Sequence, residues 1–220
     1  MPTKPPYVLK VDCDGVKSFN NGVDDNCKLH TERLPEPFIG KREAPVVLLN
    51  INPKYIQEDK TNQTTGVFAK LCRANWNHET AQTAKFPFYY LDPRLKGHRG
   101  SIWWNKKLRD LIKKVGETTL AQQIFAIEFC AYPSEKCYQW PELAGDKYRN
   151  HLVELAIKQD ATIIIMQGAT RWHEAIPKLK SHKKTFELRN PQNSSIKAAN
   201  LCRPADEKDF ETITKVLSGK

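Results

Sequence analysis

The sequence predicts an α/β fold: a parallel sheet covered by helices on both faces. Two observations carry this. Short apolar runs enriched in β-branched residues occur at Pro45–Ile51, Gln123–Tyr132, Ala161–Met166 and, more weakly, Thr185–Leu188. Each suits a strand buried on both faces. Between them lie stretches with apolar residues at helical spacing, and strands alternating with helices imply parallel neighbours joined by right-handed crossovers. A chain of 220 residues is read as one domain, with residues 1–33 an irregular N-terminal segment packed on it.

In chain order, the N-terminal segment holds one strand-like piece, Tyr7–Val11, and an Asn-Asn-Gly turn at 20–22. The first strand has Val46-Val47-Leu48-Leu49 as its centre. A helix follows through Ile102, Trp103, Leu108, Leu111, Ile112 and Val115, with Ser101 as its N-cap. Beyond the second strand, Tyr148, Leu152, Leu155 and Ala156 form a stripe that stops before Asp160. Behind the third strand a helix is expected from Ala169 to Leu179, interrupted near Pro177, and a last one from Ala205 to Leu217 behind Pro204.

Composition restricts the partners. Lys and Arg number 35 against 25 Asp and Glu, a net charge of +10, which favours a polyanionic partner. No apolar run approaches the roughly 18 residues needed to cross a bilayer. No apolar segment follows the N-terminal Met-Pro-Thr-Lys-Pro-Pro, so no secretory signal is expected. The chain is therefore expected to be soluble and cytoplasmic, with Cys13, Cys27, Cys72, Cys130, Cys137 and Cys202 as free thiols.

In a parallel sheet the working groups sit at the carboxyl ends of strands. The first strand runs into Asn50-Ile51-Asn52-Pro53-Lys54-Tyr55, where Pro53 ends the ladder and keeps Asn52 out of helical geometry. Taken alone, an Asn-Pro pair reads as an ordinary strand-to-loop turn. The second strand places Glu128 in an apolar run, where an acid is either structurally paired or functional. The third ends Met166-Gln167-Gly168-Ala169, a glycine turn opening a helix. The fourth ends in a second Asn-Pro, Asn190-Pro191-Gln192-Asn193-Ser194-Ser195, whose hydroxyls and backbone N–H groups suit phosphate. Two loops built alike converge on one cleft if the sheet is parallel.

These two loops resemble motifs of the uracil-DNA glycosylase superfamily. Asn50-Ile51-Asn52-Pro53 is similar to its water-activating motif, nearest the Gly-Ile-Asn-Pro-Gly form of the mismatch-specific uracil and thymine branch. Asn190 to Ser195 resembles the leaving-group and DNA-insertion motif. Leu34-Pro35-Glu36-Pro37-Phe38-Ile39-Gly40 and the Glu-Phe-x-x-Tyr-Pro-Ser segment at 128–134 resemble uncharacterised bacterial members, so the likeness spans about residues 34–203. It implies a three-layer α/β/α fold with a central four-stranded parallel sheet, and a monofunctional enzyme that hydrolyses the bond between a base and deoxyribose; separately, no cofactor is expected and the protein is read as a monomer. By position, Asn52 would hold the attacking water and Asn190 would donate to the departing base. Ser194 and Ser195, with Gln192 and Asn193, would pinch phosphates while the nucleotide rotates out of the duplex. Asn50, Lys54, Tyr55, Glu128 and Phe88 are the expected base contacts.

The chain also departs from the pattern. Asn50 stands where the family usually has Gly, and Lys54 where the uracil-specific branch has a tyrosine that excludes 5-substituted pyrimidines. Ser194 replaces the usual leucine wedge, leaving Ile196 or a neighbouring loop to enter the stack. Glu128 lies on the strand from which uracil-specific members read the base with an amide; an ionised carboxylate, which only accepts, suits the amine of cytosine better. The expected substrate is thus a 5-substituted cytosine, such as the glucosylated hydroxymethylcytosine of phage DNA, in antiviral defence. The alternatives are a uracil or mismatch repair glycosylase and a catalytically inactive DNA-binding relative.

DNA is expected along the basic runs. Between Arg94 and Lys114 eight Lys and Arg face one acid, and Arg94, Lys96, His98 and Arg99 lie in a loop after Phe86, Phe88, Tyr89 and Tyr90. Basic residues interleaved with aromatics can hold phosphates and stack an extruded base, although such aromatics also serve as core. Trp103 and Trp104 are read as packing residues, one inward and one partly exposed. Cys27-Lys28-Leu29-His30 with Cys13 lacks a Cys-x-x-Cys partner, so no metal is expected. Without a carboxylate cluster for Mg²⁺ a nuclease is disfavoured.

Overall fold

The computed structural model describes residues 3–57, 64–78, 83–136, 139–201 and 207–219. Its frame is a sheet of five strands: β1 (Phe38–Gly40), β2 (Val46–Asn50), β3 (Ile124–Glu128), β4 (Thr162–Ile165) and β5 (Thr185–Glu187), in the spatial order β1-β3-β2-β4-β5. Neighbours among β2 to β5 are parallel, and β1 runs antiparallel on the outer edge of β3. The sheet is therefore mixed and five-stranded, which corrects the expectation of four parallel strands. The added strand offers only Phe38 and Ile39 as apolar residues, between Pro37 and Gly40, and so no run to read.

The strands are shorter than the apolar runs that announce them, because each apolar run continues into the loop behind the strand. Along β2 the side chains alternate faces: Val46 and Leu48 enter one core cluster, Val47 and Leu49 the other, all without exposed surface. Burying each of these side chains contributes about 1.5–3 kcal/mol. On the first face lie α2 (Gly66–Trp76), α3 (Arg99–Val115), α4 (Glu117–Gln123) and α7 (Glu207–Leu217). On the second lie α5 (Asp146–Lys158), α6 (Ala169–Ala175) and the 3₁₀ turn Pro177–Lys180. Helices thus cover both faces of the sheet, compatible with three layers.

Several boundaries differ from expectation for local reasons. Tyr7–Val11 is not a strand: Lys10–Asp12 is a 3₁₀ turn that leads into α1 (Cys13–Asn21). This helix, through Val16, joins Val8, Leu29, Cys130, Tyr132 and Leu143 in a third apolar cluster, so the N-terminal segment is more ordered than predicted. The N-cap of α3 is His98, whose Nδ1 accepts from Gly100 N at 3.1 Å; Ser101 lies inside the helix and donates to Tyr90 O at 2.7 Å. Helices α2 and α4 had no sequence expectation. The expected start of the last helix, at Ala205, lies outside the described residues, as do Cys137 and Cys202. No disulfide joins the described cysteines, Cys13, Cys27, Cys72 and Cys130.

Two details hold the edge strand. Gly40 adopts φ +105°, and a Cβ there would stand 2.4 Å from Ile124 O. On the outer side of β1, Asn75 of α2 accepts from Gly40 N at 3.1 Å and donates to Phe38 O at 2.6 Å, so one amide pairs the open edge. No described helix is long and apolar enough to cross a membrane.

Candidate active-site cleft

A cleft of about 520 Å³ opens at the carboxyl ends of β2 and β3. Its floor is a register pair, Asn50 of β2 opposite Glu128 of β3, each about 5% exposed. Asn50 Nδ2 donates to Glu128 Oε1 at 3.1 Å, while Asn50 Oδ1 and Glu128 Oε2 are buried without a partner. Asn50 itself is fixed from behind: its carbonyl accepts from Phe129 N and from Trp172 Nε1, both at 3.1 Å.

Past the strand ends the two chains stay paired. Cys130 N donates to Ile51 O, Ser134 N to Pro53 O and Tyr55 N to Ser134 O. This zipper brings Asn52 to Ser134: Asn52 Nδ2 donates to Ser134 Oγ at 2.9 Å and to Pro53 O at 3.0 Å. The amide is thereby oriented, with both Nδ2 hydrogens committed and Oδ1 left as the acceptor end. Lys54 Nζ is held by Glu135 O at the rim.

A second buried acid shares the cleft. Glu36, ahead of β1, accepts on Oε2 from Tyr90 at 2.6 Å and from Tyr89 at 2.9 Å. Burial pushes its carboxyl up to about 7, the two phenols opposing. Burial likewise pushes Glu128 up to about 8, opposed by the Asn50 hydrogen bond and reinforced by the charge of Glu36. Burial thus favours the neutral form of Glu128, against the expectation of an ionised carboxylate there, because that expectation counted the residue type and not its desolvation.

The remaining wall comes from α3, with His98, Arg99, Gly100, Trp103 and Trp104 lining the cleft. Gly100 permits this approach, since a Cβ there would be 2.3 Å from Tyr90 Cε1. Trp104 is buried and Trp103 half-buried, their rings edge to face at 4.8 Å.

Of the expected site residues, the cleft brings together Asn50, Asn52, Lys54, Glu128 and Arg99. Tyr55 is instead buried, stacked on His30 with ring centroids 3.3 Å apart and covered by Arg33. Phe88 is fully buried against Trp104, a core residue and not a base contact. Arg94 projects to solvent from a pairing with Asp92, and Lys96 is exposed outside the cleft.

The second Asn-Pro loop lies beside the cleft, touching it through Gln167, which lines the cleft and donates to Pro191 O at 3.2 Å. Asn190 is not among the lining residues; it is exposed and its Oδ1 accepts from Asn193 N at 3.0 Å. Gln192 and Asn193 are exposed, and Ser195 Oγ donates to Asn193 Oδ1. Ser194 is fully buried, so its hydroxyl does not face a phosphate here, and Ile196 is 1% exposed in the main core. Ile196 is thus a loop anchor, not a wedge: its N–H donates to Lys107 O at 2.9 Å.

Sequence reasoning missed Glu36 and Ser134 as site residues, and Asn200 as the loop's clamp; it named Tyr90 only as one of the rings offered for stacking. Asn200 donates from Nδ2 to Asn193 O and Ser195 O and accepts on Oδ1 from Asn190 N. The available signal for Glu36 was an acid set between two prolines. A second cavity of about 450 Å³, mostly apolar, lies between the N-terminal segment and α5, and Glu128 lines it too. Among the described residues no group of three or more His, Cys, Asp or Glu could hold a metal ion. No protein-family model, no curated protein and no solved structure matches the chain.

Proposed function

We propose that the protein is a DNA glycosylase that hydrolyses the N-glycosidic bond of a flipped-out, modified base, a 5-substituted cytosine such as the glucosylated hydroxymethylcytosine of phage DNA, and leaves an abasic site. One observation carries the reading: an oriented Asn52 amide lines the same cleft as a buried pair, Asn50 and Glu128, in which Asn50 Oδ1 and Glu128 Oε2 lack partners. Buried polar atoms without partners are rare, and such a floor suits the hydrogen-bonding edge of a base. The cleft lies in the usual range for small-ligand sites, about 300–1,000 Å³, and exceeds what a bare pyrimidine ring fills.

In this reading Asn52 Oδ1 accepts from a water and aims it at the sugar carbon; positioning does the work, since an amide is not a strong base. Negative charge develops on the departing base. Arg99 and the N-terminal turn of α3 supply positive potential at the cleft wall. That role passes from Asn190, which does not line the cleft. Exposed basic residues on α3, Lys106, Arg109, Lys113 and Lys114, would hold the backbone.

The test offers duplexes carrying uracil, mismatched thymine or glucosylated hydroxymethylcytosine and scores alkali-labile abasic sites. Release of the modified cytosine, abolished in Asn52→Ala with DNA binding retained, is expected. Cutting of the uracil duplex alone would sink the modified-cytosine substrate. Salt-dependent binding with no release from any duplex would establish a DNA-binding protein without catalysis.

A further inference from the structure

Asn50 and Glu128 stand opposite each other in the parallel register of β2 and β3, so both side chains leave the sheet at the same level of the cleft floor. Their mutual bond uses Asn50 Nδ2 and Glu128 Oε1. What remains is Asn50 Oδ1 and Glu128 Oε2, both buried and both unpartnered, in residues that line the cleft. Two bare acceptors match no pyrimidine pairing edge well, because those edges set a donor beside an acceptor.

We propose that Glu128 reads the substrate base as a neutral acid with its proton on Oε2, so that Oε2–H beside Asn50 Oδ1 offers one donor and one acceptor to the N3 and 4-amino edge of a cytosine-type base. This rests on the glycosylase reading and deepens it. Oε1 already accepts from Asn50, which directs the proton to Oε2. Oε2–H then donates to N3, and Asn50 Oδ1 accepts from the 4-amino group. An ionised Glu128 would set a carboxylate oxygen against the N3 lone pair.

The surroundings favour the neutral form. Glu36 faces Glu128 from the segment before β1 and Tyr90 from the turn before α3, while His98 and Arg99 approach from α3 and Lys54 and Glu135 from the rim. On the far side, Asp12 of the N-terminal segment and Asp146, Lys147 and Arg149 of α5 line the second cavity that Glu128 also reaches. Of these charges Glu36 is the one that acts on Glu128, in the same direction as burial.

The test is calorimetric binding of two free bases, 5-hydroxymethylcytosine and uracil, to the full chain between pH 6.5 and 9.5. Wild type is expected to bind 5-hydroxymethylcytosine, with affinity falling about tenfold per pH unit above pH 8. Glu128→Ala is expected to weaken binding roughly 10- to 100-fold at pH 6.5. Glu128→Gln, which carries an N–H donor where the acid carries O–H, restores it and removes the fall above pH 8. Thermal midpoints verify that each variant is folded, and should Glu128→Ala fail to fold, the wild-type profile against Glu128→Gln decides alone. The proposal is overturned if neither base binds, if uracil is preferred, if the wild-type affinity is flat with pH, or if Glu128→Gln binds much more weakly than wild type at pH 6.5. Base binding with this profile, together with no abasic site from any duplex, supports the pair's role while sinking the catalytic reading.

Discussion

Glu36 shows what a single buried acid costs and what holds it. Two phenols donate to one of its oxygens, yet burial still pushes it up to about 7, and Glu128 to about 8. In the unfolded chain both would titrate near the ordinary value of 4.5. Below that value folded and unfolded states are equally protonated; above it the unfolded carboxylates are charged while the folded ones keep their protons. Stability present at low pH is therefore lost as pH rises towards 8. We expect the thermal midpoint to fall between pH 5 and pH 8, with Glu36→Gln recovering on the order of 2–3 kcal/mol at pH 8. A wild-type midpoint flat over that window would show the acid to be ionised throughout. Asn200 is the residue-scale counterpart in the second loop. Asn200→Ala removes three hydrogen bonds from 190–195 and should cost about 1–3 kcal/mol. Faster exchange of the Asn190 amide, whose N–H donates to Asn200 Oδ1, would report the same loss.

Among the elements, β1 and α3 decide the most. Strand β1 joins the sheet only because Gly40 lets its backbone pass Ile124 O and Asn75 pairs its outer edge. Asn75→Ala should lower stability by about 2–4 kcal/mol, from two lost buried bonds, and raise aggregation by freeing the edge. Denaturant melts and light scattering measure the two effects. Unchanged stability would mean that the edge is satisfied by water. Helix α3 contributes to both core and cleft: Leu108 and Leu111 fill the core, while Arg99, Trp103 and Trp104 form the cleft wall. The spacing of its apolar residues was readable in the sequence, but the side on which the cleft would open was not.

Across the whole molecule, the charge of +10 predicts a polyanion and nothing about chemistry. If DNA is that partner, its affinity should fall steeply with salt, and Arg99→Ala should lower the slope of log K against log salt by about one. A slope unchanged in that variant would remove Arg99 from the phosphate contacts. The sequence by itself determined that four apolar runs become the parallel strands β2 to β5, because a run buried on both faces needs no polar alternation. It also determined that Asn50, Asn52 and Glu128 lie at or just beyond strand ends, since Pro53 and the chain's polarity switch mark those ends locally. Only the tertiary structure decided the rest. It withdrew Phe88, Tyr55 and Ile196 into packing, brought Glu36 and Tyr90 beside Glu128, and left Asn190 outside the cleft. Those outcomes depend on which surfaces meet in the folded chain, and on the desolvation that meeting imposes, neither of which residue type or spacing records.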